Sequence, residues 1–298
     1  RQGYGLTNNE SQMLIEADTL SINSGMGIHV GNNTEEKNPE DTDRATTIIK
    51  ANQTTINADT HGILAFSNGL VDIAGNLTVN APIAIDVRGY STVNINQDGQ
   101  GTVVLNGNIN FETPGGSNNS GNIIDAYVNI DLSGPDSSWT GNVSREYPET
   151  AEGSDTTKVT GLSLTLSDGA QWNPTIVDNW ESEMGGTTLK GGSQSLNVLK
   201  LNDGVINVRH GADQVVEIEN LTGTGGTINL TAKTDGKTVE SGTVSVETTA
   251  KNTRLSVRAR GITADDVDDA QSVMESLNAK VDAQAAKTNI CLLYTSPS

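Results

Sequence analysis

Two stretches of this chain repeat each other, and the distance at which they do so limits what the chain can fold into. One is Leu162-Ser163-Leu164-Thr165-Leu166-Ser167-Asp168-Gly169-Ala170-Gln171-Trp172. The other is Val198-Leu199-Lys200-Leu201-Asn202-Asp203-Gly204-Val205-Ile206-Asn207-Val208. Each reads as a short strand of alternating apolar and polar residues, an Asp-Gly turn, and a second short alternating strand. Gly169 and Gly204 mark the same point in both, 35 positions apart. A unit that returns at such a period cannot bury its apolar face alone, whereas stacked copies can. The pattern therefore predicts a stacked architecture in place of a single globular core.

The same alternation runs through most of the chain. Between Thr46 and Glu112, strand-like runs follow one another quickly. Val71/Ile73, Leu77/Val79, Ile83/Ile85/Val87 and Val93/Ile95 occupy alternate positions and so share one strand face. Gly69, Gly75, Gly89 and Gly99 fall at the breaks, where a chain turns a corner. Glycines at 75, 107, 134, 169 and 204 end comparable units, with a spacing that drifts as corner loops would make it drift. Aromatic residues make up only 3% and charged residues 18%, which suits a thin core of Val, Ile and Leu repeated along an axis.

Three stretches read as insertions at corners: Thr113 to Asn122, Ser133 to Thr157 with Trp139 and Tyr147, and Asp178 to Ser195 with Trp180. A polar loop from Gly31 to Arg44 carries Glu35, Glu36, Glu40, Asp41 and Asp43, and reads as a solvated charged face. After strands at Gly242–Val246 and Thr253–Arg260 the pattern changes. Thr263-Ala264-Asp265-Asp266 reads as an N-cap with a carboxylate three positions on. Val267, Ala270, Met274, Leu277 and Val281 follow as the seam of a helix from about Ala264 to Lys287. The expectation is an amphipathic helix packed on the final coil or leading to a further domain.

The formal net charge of −19 argues against nucleic acid and anionic lipid as partners. The one cysteine lies in Cys291-Leu292-Leu293-Tyr294-Thr295-Ser296-Pro297-Ser298. Those eight residues resemble the translation of a transposon-end sequencing adapter, and we set 291–298 aside as an adapter artefact. The remainder has no cysteine for a disulfide or a thiolate-bound metal. The missing initiator Met and the tail lead us to expect an internal fragment of a longer protein.

No motif points to catalysis, a cofactor or a metal. The acids Asp265, Asp266, Asp268 and Asp269 lack the alternating ligand pattern of a calcium loop and suit a helix N-terminus. His29, His61 and His210 are scattered, without zinc spacing. Gly192-Ser193-Gln194-Ser195 is no nucleophile elbow, and Gly223-Thr224-Gly225-Gly226 leads into no helix, as a phosphate loop must. Asp72, Asp86, Asp98, Asp125, Asp131, Asp168 and Asp203 lie in or beside strands, where a pair could cleave a glycoside. No signature of pectin-degrading families accompanies them, and Arg209-His210-Gly211 is incomplete.

Leu162–Trp172, and Leu196 to Leu230 ending in Glu219-Asn220-Leu221-Thr222-Gly223-Thr224-Gly225-Gly226-Thr227-Ile228-Asn229-Leu230, resemble the passenger domain of monomeric (type V) autotransporters, the pertactin-like group. Similar passengers have Leu-x-Leu-x-x-Gly units followed by a Leu-x-Gly-x-Gly closing coil. The resemblance implies an all-β, right-handed parallel β-helix (solenoid) over 1–262; the short C-terminal α-helix read over 263–290 departs from the simplest pattern of passenger, linker helix and barrel, unless it is itself the linker. It also implies export through the periplasm and an outer-membrane β-barrel of the same polypeptide, for display on the bacterial cell surface. The family's Gly-Asp-Ser-Gly protease motif is absent. About eleven coils at roughly 4.8 Å would give a rod on the order of 50 Å. The expected function is that of an adhesin or self-association module. Its polar ladders and loops would contact host glycans, host proteins or a copy on a neighbouring cell. A polysaccharide-active enzyme and a passive stalk are the alternatives.

Overall fold

The computed structural model describes residues 3–32, 44–112, 126–148, 160–176, 180–184, 187–193 and 195–288. Within them the alternating segments pair side by side in parallel, forming three ladders of inward-facing residues. In the first ladder Ile15, Ile49, Ile73, Ile95, Ile130, Leu164, Leu199, Leu221 and Thr249 stand in one column. In the second the column is Ile22, Ile56, Val79, Leu105, Trp139, Trp172, Ile206, Ile228 and Val257. Leu6, Ile28, Ile63, Ile85, Ile109 and Val143 form the third. The chain visits the ladders in turn and regains the same column after intervals such as 22 residues (Ile73 to Ile95) or 35 (Ile95 to Ile130). The result is a mostly-β fold of parallel strands with one C-terminal helix.

The two stretches that repeat in the sequence are neighbouring rungs. Leu164 pairs with Leu199, Leu166 with Leu201, and Trp172 with Ile206. Their glycines serve different ends. At the first turn both Asp168 (φ 54°) and Gly169 (φ 88°) are left-handed, a region Gly enters without a Cβ penalty. At the second turn only Asp203 is left-handed (φ 61°). Gly204 is there because the chain passes too close to its neighbour: a Cβ would lie 2.3 Å from Leu166 Cβ and 2.4 Å from Leu166 O.

Column residues from the second rung onward are almost all buried, from Ile49 through Leu221 and from Ile56 through Val257. Burying each such side chain stabilises by roughly 1.5–3 kcal/mol, and the stack repeats that gain rung after rung. The nine rungs of the first and second ladders span about 38 Å at ~4.8 Å each, fewer and shorter than the eleven coils the sequence led us to expect. Many steps run to 33–35 residues because of the segments lying between ladders, so fewer steps fit in the chain.

The stretch from Ser133 to Thr157 is not a single insertion. Ser138–Thr140 and Val143–Pro148 are ladder strands, and Trp139 is wholly buried in the second column. Its ring stacks on Trp172 at 5.0 Å and 3°. Each indole N–H donates to a glycine carbonyl on the preceding rung, Trp139 to Gly107 (2.9 Å) and Trp172 to Gly141 (3.1 Å), which satisfies the one polar atom these rings bring inside. Trp180–Met184 and Thr187–Ser193 pair antiparallel, and the latter pairs antiparallel with Val143–Pro148, continuing the third ladder in reversed sense. The expected loop Thr113–Asn122, the acids at 35–43, residues 149–157 and residues 291–298 lie outside the described residues.

At the C-terminal end the helix runs Ala270–Thr288, preceded by a separate 3-10 turn, Ala264–Asp266. Thr263 caps that turn, with its N–H and hydroxyl donating to Asp266 (2.8 and 2.7 Å). Asp269 receives Gln271 and Ser272 at the start of the helix proper. Of the expected seam, Val267 and Leu277 pack with Val273, Ala232 and Val239, and Val281 packs on the main core. Ala270 is exposed and Met274 is 42% exposed. The buried face is instead Val273, Leu277, Val281, Gln284, Ala285 and Thr288. Gln284 is 3% exposed. Its amide accepts from Val244 N–H and donates to Val244 C=O, both at 2.8 Å. In a parallel sheet a residue's N–H and C=O face the same neighbouring strand. The Gln284 side chain therefore stands where the backbone of a further rung would lie.

Candidate functional site

The side of the second ladder facing away from the core carries a row of amides. Asn57 donates to Asn23 (2.9 Å), Asn80 to Asn57 (2.8 Å) and Asn106 to Asn80 (2.8 Å). The row continues through Thr140 and Asn173 (3.4 Å), Asn207 to Asn173 (2.7 Å) and Asn229 to Asn207 (3.0 Å). Each Asn follows an inward column residue by one position, so the pleat that buries Ile56 or Val79 turns Asn57 or Asn80 outward. A shorter row on the first ladder joins Asn129 to Asn94 (2.9 Å). An amide has two N–H donors and an oxygen with two lone pairs, and a ladder contact consumes one of each. What remains at Asn23, Asn80 and Asn106, all exposed, is a repeated donor and acceptor facing solvent. Such a surface can recognise hydroxyls, amides or another such row.

Among the described residues, the third ladder holds an ionic cluster that approaches a reactive arrangement. Asp86 is wholly buried. Its Oδ2 accepts from Arg88 Nη2 (2.6 Å) and Nε (3.2 Å) and lies 3.2 Å from His61 Nε2. His61 precedes Asp86 by a rung, so stacking joins residues the sequence left apart. His29 lies between Tyr4 (4.6 Å) and Phe66 (4.4 Å). Burial first, then Arg88 and His61, hold its pKa below the usual imidazole range. The Arg88 guanidinium and the His61 ring both meet the buried Asp86 carboxylate, the pairing a charge inside a core requires. Among the described residues no three His, Cys, Asp or Glu side chains converge as a metal would need.

The other carboxylates considered from sequence are dispersed over the ladders. Asp72 and Asp131 are held above the usual carboxylate range, in both cases chiefly by burial. Lys50 opposes the shift at Asp72 and Asp98 reinforces it, while Thr165 and Lys200 oppose it at Asp131. Asp168 accepts from Ser133 at 3.3 Å, Asp203 occupies its turn, and Asp125 lies outside the described residues. Gln284 was not foreseen, since a polar residue replacing backbone leaves no mark on an apolar periodicity. The His61–Asp86 contact was equally hidden, because it depends on rung register. Comparison with protein-family models, with curated proteins and with solved structures finds no match to this chain.

Proposed function

We propose that this chain is a right-handed parallel β-helix that serves as a passenger fragment of a bacterial autotransporter. On this reading it is exported through the periplasm and displayed at the cell surface as an adhesin or self-association module. The observation that carries the reading is the outward amide row from Asn23 to Asn106, set at rung spacing on a parallel stack. A row of neutral donors and acceptors suits a partner with its own repeated polar groups, such as a host glycan, a protein strand or a copy on a neighbouring cell. We assign no catalytic residue and no cofactor.

Display of the chain on a bacterial surface tests this. Settling of the culture or attachment to host cells should rise, and Asn57→Ala with Asn80→Ala should lower it at equal display. Full display with neither behaviour would defeat the proposal. One observation favours a stalk as the second reading: the amides already satisfy one another along the row. In that case the double variant would leave settling and attachment unchanged.

A further inference from the structure

We propose that the C-terminal helix is a cap that stops copies of this chain from joining end to end, the last rung of one to the first rung of the next. The inference concerns the ends of the stack and does not rest on the surface-binding reading, which concerns its sides.

The two ends match in strand direction, in column and in charge. Every rung of the first and second ladders is parallel to its neighbour, so the edge of Thr243–Thr249 and Arg254–Arg260 can be extended by Gln12–Ser24 of another copy without reversing the chain. Continuing the columns sets Ile15 beyond Thr249 and Ile22 beyond Val257. Lys251 then falls beside Ala17, between Glu16 and Asp18, and Arg254 falls beside Thr19, next to Asp18. Although the chain carries −19 overall, 243–260 contains Lys251, Arg254, Arg258 and Arg260 against Glu247 alone. By contrast 4–24 contains Glu10, Glu16 and Asp18 and no Lys or Arg. Lys251, Arg254, Glu16 and Asp18 are all exposed.

The helix stands between these two edges. Gln284 takes the N–H and C=O that Val244 would offer an incoming strand, and the Thr249 hydroxyl donates to Thr288 O (2.5 Å). At the other end, among the described residues, Tyr4–Asn9 and Gln12–Ser24 each pair on one side only. A contact between two different edges does not close on itself and propagates into open assemblies. An unguarded parallel edge is the usual route to that outcome.

The test uses the full chain. Leu277→Asp with Gln284→Ala undocks the helix and keeps the chain length. Light scattering after size exclusion should show the mass rise with concentration from 31.2 kDa to more than twice that value, and fall again with added salt. Lys251→Glu and Arg254→Glu in the undocked chain should return it to monomer. Adding Glu16→Lys and Asp18→Lys should restore association. Unaltered chain, whose first rung pairs on one side only among the described residues and whose last is capped, should shorten the assemblies as it is titrated in. The proposal is overturned if the undocked chain keeps its strand circular dichroism and stays monomeric, or if association ignores both charge reversal and the unaltered chain. Should the double variant lose its strand signal, Gln284→Ala alone decides: association no greater than in the unaltered chain overturns the proposal equally.

Discussion

Ile15 and Ile49 are the same residue type in the same column, one rung apart, yet Ile49 is wholly buried while Ile15 is only partly covered. Beside Ile15, Leu14 is 57% exposed, and Tyr4 on the same end is 58% exposed. At the opposite end the last strands have no further rung among the described residues either, but Val244 and Leu255 are wholly buried and the helix lies over them. The contrast teaches that in the first ladder burial depends on the neighbouring rung, whereas in the second ladder Ile22 of the same first rung is already buried, at 6% exposed. A stack therefore needs either another rung or a substitute for one, and the Gln284 amide on Val244 is such a substitute.

The sharpest way to break the comparison is a charge in the column. Leu199→Asp places a carboxylate between Leu164 and Leu221 and should destabilise by more than about 4 kcal/mol, unfolding the central rungs. Ile15→Asp should lose less than half as much, because its carboxylate can reach water. Denaturant midpoints of the two variants check this, and equal losses would break the contrast between middle and edge. Trp139→Ala follows, at about 3–5 kcal/mol, with its partner Trp172 becoming more exposed by fluorescence. At the capped end Gln284→Ala leaves Val244 N–H and C=O buried without partners and should cost about 1–3 kcal/mol.

The smallest effect is in acid, and it should differ in sign between the cap and the ladders. Asp235 is held down to about 2 by the Thr238 backbone and hydroxyl and the Lys237 N–H. Asp266 is lowered by Thr263, hydroxyl first, and Asp269 by Ser272, backbone first. A carboxyl whose folded pKa is lowered contributes stability above its unfolded pKa and loses it as pH falls through the folded value. For Asp235 that window runs from about 4 down to about 2. Asp72 and Asp131 are raised, so their strands gain stability as pH falls through the raised pKa. Helix circular dichroism should therefore fade with acid before the strand signal does. Simultaneous loss would contradict the assignment of Asp266 and Asp269 to the helical end.

The repeat was legible in the sequence because inward positions such as Leu164 and Leu199 keep one alternation over several residues. Trp139 was not, because its strand, Ser138–Thr140, is three residues long and too short to display a period. The helix was legible as a helix, but its buried face was not. Met274 offers a larger apolar side chain than Val273, yet the geometry of the last rung brings Val273 and Gln284 inward. The amide row was legible in kind, as polar residues alternating with apolar ones. Its continuity was not, since Asn80 meets Asn106 only after the corner between them fixes the register.

Backbone hydrogen exchange, followed peptide by peptide on the full chain, tests the unequal ends most directly. Slow exchange over Thr243–Thr249, approaching that of Gly69–Arg88 in the middle, and much faster exchange over Gln12–Ser24 is the result predicted for one edge capped by the helix and one that pairs on a single side among the described residues. Exchange over Gln12–Ser24 as slow as over Thr243–Thr249, or slower, would contradict it.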